Sequence, residues 1–246
     1  MKKLLYIIIL LALPFGKVFA VDYNASAFGC VSDGQTNNTR SIQAAIDMIS
    51  AKGGGTLNFY VGRYLTGGLE LKSNVTINLH EGAILVASPG FYDFIQKAGK
   101  RYFIYAEKQE NIKIIGKGVI LGQAALVAPN IQNQVNKGFV KESVDSLLPT
   151  LVGFSHCQQI TLDGIMLRDA SGDVLDLDHC SQVTLKNQLI KAHASPKGAG
   201  LRLAASTEVS LDSMYVDVAG KALVKDASSK ISRINKSVTP NGKPIK

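Results

Sequence analysis

Four carboxylates crowd ten residues of this chain: Asp169, Asp173, Asp176 and Asp178. Acids at that density can pass protons to a leaving oxygen and from a water, or hold Ca²⁺ through their oxygens. Asp173, Asp176 and Asp178 are therefore the catalytic candidates; the plainer alternative is a solvated acidic edge on which Asp176 pairs with Arg202. A basic set, Lys197, Arg202 and Lys221, offers side chains for a groove that grips an anionic ligand. The third constellation is His156-Cys157 with His179-Cys180. Two histidines and two cysteines are a zinc donor set, but each like pair shares one direction, which fits a stack on the turn side of a repeat. The sequence thus calls for no metal and no cofactor.

What would place these side chains is a repeat. Residues 151–168 (LVGFSHCQQITLDGIMLR), 174–191 (VLDLDHCSQVTLKNQLIK) and 200–217 (GLRLAASTEVSLDSMYVD) align at offsets of 23 and 26 residues. Leu162 falls on Leu185 and Leu211, Ile160 on Val183 and Val209, and Phe154 on Leu177 and Leu203. Apolar alternation of period two inside such a repeat indicates short strands coiled into a solenoid, each coil needing its neighbours to bury its apolar face. The register also stacks Asp163, Lys186 and Asp212 in one outward column and sets Asp176 beneath Arg202. The fold class expected is all-β, a single-stranded right-handed parallel β-helix. Flat polar faces of that kind suit extended ligands such as polysaccharides.

Residues 1–20 read as a secretory leader: Lys2 and Lys3, the apolar run Leu4 to Leu13, then Val18-Phe19-Ala20. The run is too short to span a bilayer, so the chain is expected to be exported, to a periplasm or the extracellular space. The whole chain carries +8 at pH 7, and residues 21–246 carry +5, much of it after Lys225. An acidic polysaccharide is one partner for such a surface; a solvated basic tail is the other reading. Three cysteines make no complete disulfide framework. Cys157 and Cys180, on adjacent coils, are expected to be buried thiols, and Cys30 to belong to the core.

The elements follow in order. In NNTRSIQAAIDMISAKGGG, Ile42, Ala45, Ile46 and Ile49 share one helical face, with Asn38 or Thr39 as cap and Gly53 to Gly55 as terminator. This helix is the expected N-terminal cap of the solenoid. Strands follow at 56–59, 64–65, 69–71, 75–79 and 83–86. Residues 89–110 and 122–149 interrupt the repeat as loops that could wall a groove. The solenoid is expected over 21–226 and a basic tail over 227–246.

The block AFGCVSDGQTNNTRSIQAAIDMISAKGGGTLNFYVGRYLTGGLELKSNVTINLHEGAILVAS (27–88) resembles glycoside hydrolase family 28, the polygalacturonase family within the pectate-lyase-like β-helix superfamily. IGKGVILGQ (115–123) and LPTLVGFSHCQQITLDGIMLRDAS (148–171) extend the resemblance. It implies inverting hydrolysis of galacturonan by three aspartates, from an Asn-Thr-Asp motif on one coil and an Asp-Asp pair on the next. Here Lys197-Gly198-Ala199 stands where the first motif should, and Gly220-Lys221-Ala222 where the second should. The sequence ends before coils for the family's substrate-carboxylate motifs. The reading is an exported polygalacturonase-like protein that binds or acts on a pectic or other acidic polysaccharide without the family's catalytic aspartates. The alternative is an active hydrolase or lyase using a relocated acidic cluster, with Lys197 as the base of a lyase. No nucleic acid or membrane partner is expected, and a monomer is.

Overall fold

Residues 21–245 are described by a computed structural model. The leader read at 1–20 lies outside the described residues. The alternating segments form rungs, and the strands of successive coils stack on one another. Among the described residues this builds three sheets of eight, six and seven strands, parallel throughout except for the short strand Ile95–Lys97. The eight-stranded sheet A runs from Asp22–Asn24 to Ile231–Asn235. Sheet B runs from Gly62–Thr66 to Tyr215–Val218, and sheet C from Leu69–Glu70 to Leu223–Lys225.

The register read from the repeat is the register observed. Ile160, Val183 and Val209 pair in one column, as do Leu162, Leu185 and Leu211. All six are fully buried. Phe154, Leu177 and Leu203 form the matching column of sheet C. Full burial of each such side chain stabilises by about 1.5–3 kcal/mol, and the next rung supplies the cover. On the outside, Asp163, Lys186 and Asp212 stack as expected.

Helix α1 (Thr39–Ala51) closes the N-terminal end with Ile42, Ala45, Ile46 and Ile49 entirely buried. Its start differs from expectation, because Asn38 makes no capping bond. Asn38 is buried, accepts from Val31 N–H (2.8 Å) and donates to the carbonyls of Val31, Thr36 and Leu65. Asn37 instead accepts the Thr39 N–H at 2.9 Å. The helix exits through Gly53 and Gly54 (φ 93° and 121°), and a Cβ on Gly54 would lie 2.5 Å from the Asn74 carbonyl.

The two interruptions are more ordered than loops. Residues 89–110 contain the hairpin Ile95–Lys97 with Lys100–Glu107, and the second strand is a full rung of sheet C. Residues 122–149 form α2 (Ala124–Asn136) and α3 (Val144–Leu147). The buried spacing Ala124, Val127, Ile131 is helical, but Pro129 and the Gln/Asn content hide it. The tail expected at 227–246 is not one. Ile231–Asn235 adds a last rung to sheet A, Val238 bridges Tyr215, and Ile245 is buried. Lysines between these apolar contacts, solvated on the outer face, produced the tail-like composition.

A column of left-handed turn residues joins sheet C to sheet A: Lys108, His156, His179 and Ala205, with φ between 46° and 54°. After it the chain points inward at Gln109, Cys157, Cys180 and Ser206. The Ser206 hydroxyl accepts the Cys180 N–H, and Cys157 Sγ accepts the Gln109 N–H. Cys30, Cys157 and Cys180 are all free and buried. Burial pushes the Cys30 thiol up to about 11, and the hydrogen bond with Cys157, then burial, raises the Cys180 thiol.

Two outcomes follow from this packing. In native protein at neutral pH, alkylating reagents should leave all three thiols unmodified, and in denaturant mass spectrometry should find three modified; fast native labelling of Cys157 or Cys180 would contradict the inward stack. Asp226 pins the last coil, accepting from Ser229 N–H and Oγ, Ser228 Oγ and Ala205 N–H. These bonds hold its carboxyl well below the usual range. Its contribution is therefore present above the unfolded carboxylate pKa and is lost as pH falls through the folded one. Asp226→Asn should speed amide exchange at Ala205 and Ser229 at pH 7, with the difference from wild type vanishing in strong acid.

Candidate ligand cleft

The outer face of sheet C carries the column Tyr105, Gly153, Asp176, Arg202. Gly153 has no side chain because one cannot fit: a Cβ there would meet the Tyr102 ring at 2.4 Å. Tyr102 thus lies across the bare rung, its centroid 4.5 Å from that of Tyr105, and its hydroxyl reaches Asp176 Oδ2 at 3.3 Å. Lys100 Nζ donates to the same oxygen at 2.8 Å. Asp176 is 2% exposed, and its Oδ1 is buried without a hydrogen-bond partner. Burial, and then the charge of Asp176, pushes the Tyr102 phenol well above its usual value.

Beside this plug opens a cleft of about 200 Å³, lined by Lys100, Asp145, Thr150, Asp173, Lys197 and Arg202 among others. The hairpin supplies Lys100 and α3 supplies Asp145, so the two interruptions do wall it. Arg202 forks onto Asp173, Nε to Oδ2 at 2.6 Å and Nη2 to Oδ1 at 3.0 Å, and the Ala199 N–H donates to Oδ1 at 2.7 Å. That bond to Asp173 holds the Arg202 guanidinium above its usual pKa. Lys197 meets Asp145 at 2.5 Å on the rim, which raises the ammonium in the same way.

The four acids diverge. Asp173 faces the cleft but is held by Arg202, and Asp176 is beneath Tyr102. Asp178 turns to Ser155 and His179, while Asp169 lines a separate cavity beside α2 with Arg168 and His193. Arg202 does not pair with Asp176 as expected: the two are cross-strand neighbours, but the longer reach of the guanidinium finds Asp173, and Lys100 takes Asp176. Asp176 is likewise no part of a solvated edge, being buried under Tyr102 and Lys100. Of the basic set, Lys197 and Arg202 share the cleft. Lys221 does not; it lines a cavity of about 830 Å³ at the C-terminal end, with Lys225, Lys230 and Ile234.

Lys100, Tyr102, Gly153 and Asp145 escaped the sequence reading. Only Gly153 left a trace, as an isolated glycine inside an apolar strand, the mark of a close approach. Lys100 is 76 residues from Asp176, and no local pattern joins them. Gly153→Ala should lower stability by about 1–3 kcal/mol, the usual cost of overpacking, and Tyr102→Phe by about 1 kcal/mol. Denaturant midpoints should show Gly153→Ala costing much less in a Tyr102→Ala background; additive costs would mean the ring does not rest on the glycine.

Comparison with known proteins places this architecture. Residues 44–241 match the model of the glycosyl hydrolases family 28. A crystal structure of a candidate glycosyl hydrolase from Parabacteroides merdae is 39% identical over 90% of this chain and 99% of that one, with a TM-score of 0.85. A family 28 exopolygalacturonase from Yersinia enterocolitica superposes with a TM-score of 0.75 at 22% identity, over 85% of this chain and 45% of that one. In sequence, an exo-poly-alpha-D-galacturonosidase of Dickeya chrysanthemi is 28% identical over 59% of this chain, and the match spans only 25% of that protein. A parallel β-helix with a helical cap, an in-register apolar ladder and this match over most of its length make the chain a member of glycosyl hydrolase family 28.

Proposed function

We propose that this chain is an exported β-helix protein that binds a pectic or other acidic polysaccharide in the cleft of sheet C without hydrolysing it. One observation carries the reading: the cleft is lined by Lys100, Lys197 and Arg202, and its aspartates Asp173 and Asp145 are already bound to cations. Glycoside hydrolysis needs one carboxylic acid with a proton to give and a second carboxylate free to activate water. A carboxylate forked by Arg202 and capped by a backbone N–H offers neither. Ala199 and Ala222 precede the strands Leu201–Ala204 and Leu223–Lys225, at positions where the resemblance to the family implies aspartates.

Binding would work by exchange. The Lys197–Asp145 pair is exposed, with side chains 80% and 60% accessible, and such pairs are worth only about 0–1 kcal/mol. A uronate carboxylate can take the place of Asp145 on Lys197 at little cost. Arg202, fixed by Asp173 and 31% accessible, then supplies a rigid second donor. The small cleft and the Tyr102 plug favour a chain end or a short segment over a long polymer laid along the sheet.

The test combines catalysis and binding on polygalacturonan and its short oligomers. Reducing ends and unsaturated products should both stay at background, while calorimetry detects binding that weakens with salt. Asp145→Asn should tighten that binding by freeing Lys197, and Lys197→Ala should weaken it several-fold. New reducing ends lost in Asp173→Ala would establish hydrolysis from a relocated site, and unsaturated products would establish a lyase. No binding by folded protein would reject the cleft as a glycan site.

A further inference from the structure

The stack of His156 on His179 lies outside the cleft and has no part in the reading above. We propose that these two imidazoles, with the Asp178 carboxylate, form a surface site for one divalent transition-metal ion of the zinc, copper or nickel type. One ligand atom from each of the three residues lies within 4.8 Å of the other two. The rings are parallel to within 1° at a centroid distance of 4.7 Å. This is the separation of adjacent rungs, about 4.8 Å, so the backbone ladder sets it. Both histidines occupy the same left-handed turn position, with φ of 53° and 51°, which sends the two side chains out along one direction.

The polar atoms already converge. Ser155 Oγ lies 2.9 Å from His156 Nδ1 and donates to Asp178 Oδ2 at 3.2 Å, and Asp178 Oδ1 lies 2.8 Å from His179 Nδ1. Ser155 and Asp178 are themselves paired across the strands, so all four groups stand on two rungs. Zinc–nitrogen bonds of about 2.0–2.1 Å need the two nitrogens to close to about 3.4 Å in a tetrahedral site. The rings can do this by turning about their broad terminal torsions, since the His179 side chain is 55% accessible. Three protein ligands leave a position for water or the Ser155 hydroxyl.

The donor set decides the class of ion. Two imidazoles and one carboxylate suit zinc, copper or nickel, whereas calcium and magnesium take oxygen ligands. The neighbouring thiols do not join in: Cys157 Sγ bonds the Ser155 carbonyl, and Cys180 Sγ bonds the carbonyls of Phe154 and Asp178, both from buried positions. The turn column limits the site to one ion, because Lys108 precedes His156 and Ala205 follows His179. Glu107, across from Ser155 on the preceding rung, adds negative charge nearby, and Lys108 adds positive.

The experiment uses untagged protein stripped with chelator and titrated with Cu²⁺ or Zn²⁺. Electron paramagnetic resonance should show a single Cu²⁺ with two nitrogen ligands. Zn²⁺ calorimetry should find one ion per chain and a rise in Tm on loading. His156→Ala and His179→Ala should each weaken binding at least ten-fold and abolish the Tm rise, Asp178→Asn should weaken it less, and Cys157→Ser should change nothing. Circular dichroism checks that each variant folds. Binding that survives both histidine variants, depends on the cysteines, or needs only one of the two rings would overturn the proposal, as would the absence of one-to-one binding.

Discussion

Every part of this molecule rests on the lateral pairing of rung on rung. A single coil has an apolar interior face too small to bury by itself, and a strand within it has no partner of its own. Stacking solves both at once: the backbone of one coil satisfies the next, and Leu162, Leu185 and Leu211 cover one another in a continuous column. The same constraint has a price at each end. α1 closes one end with four buried apolar residues, and the other is covered in part by Val238 and Ile245 folding back beside the last rungs.

Pairing in register also organises the chemistry. Whatever occurs at one position of a coil meets its counterpart a few ångströms away on the next, so equivalent residues become stacks: thiol on thiol, imidazole on imidazole, acid on base. The two histidines face each other for the same reason that the leucines do. The cleft has another origin. Its distinctive groups, Lys100 and Asp145, come from the hairpin and the short helix that interrupt the repeat, and they reach sideways onto sheet C where the repeat supplies Asp173, Asp176 and Arg202. The scaffold is periodic, and the proposed ligand surface is made where the period is broken.

Within the proposed cleft, the balance of charge is what would separate gripping an anion from cleaving a glycosidic bond. The bidentate contact between Arg202 and Asp173 is geometrically complete, and the carboxylate of Asp176 is both buried and bonded. Acids so engaged organise the cations around them. Lys197, on the exposed rim, is the group with most freedom to change partner.

The sequence by itself determined the solenoid: the period-two alternation, the repeat offsets and the amphipathic face of α1 set the rungs, their register and the cap, because these are local patterns that only one kind of stacking satisfies. It also determined which residues share a column, pairing Cys157 with Cys180, His156 with His179 and Asp163 with Lys186. The helix of residues 124–136 was obscured by Pro129, and the last rung by its lysines, since composition reports solvation of the outer face and not pairing of the backbone. Only the tertiary structure decided how the side chains of sheet C pair. Whether Arg202 reaches Asp173 or Asp176, and whether Lys100 and Tyr102 cover Asp176, depends on inserted segments dozens of residues away and on the length and direction of flexible side chains. Column membership fixes where a Cα stands; it leaves open which of several neighbours a long side chain will meet.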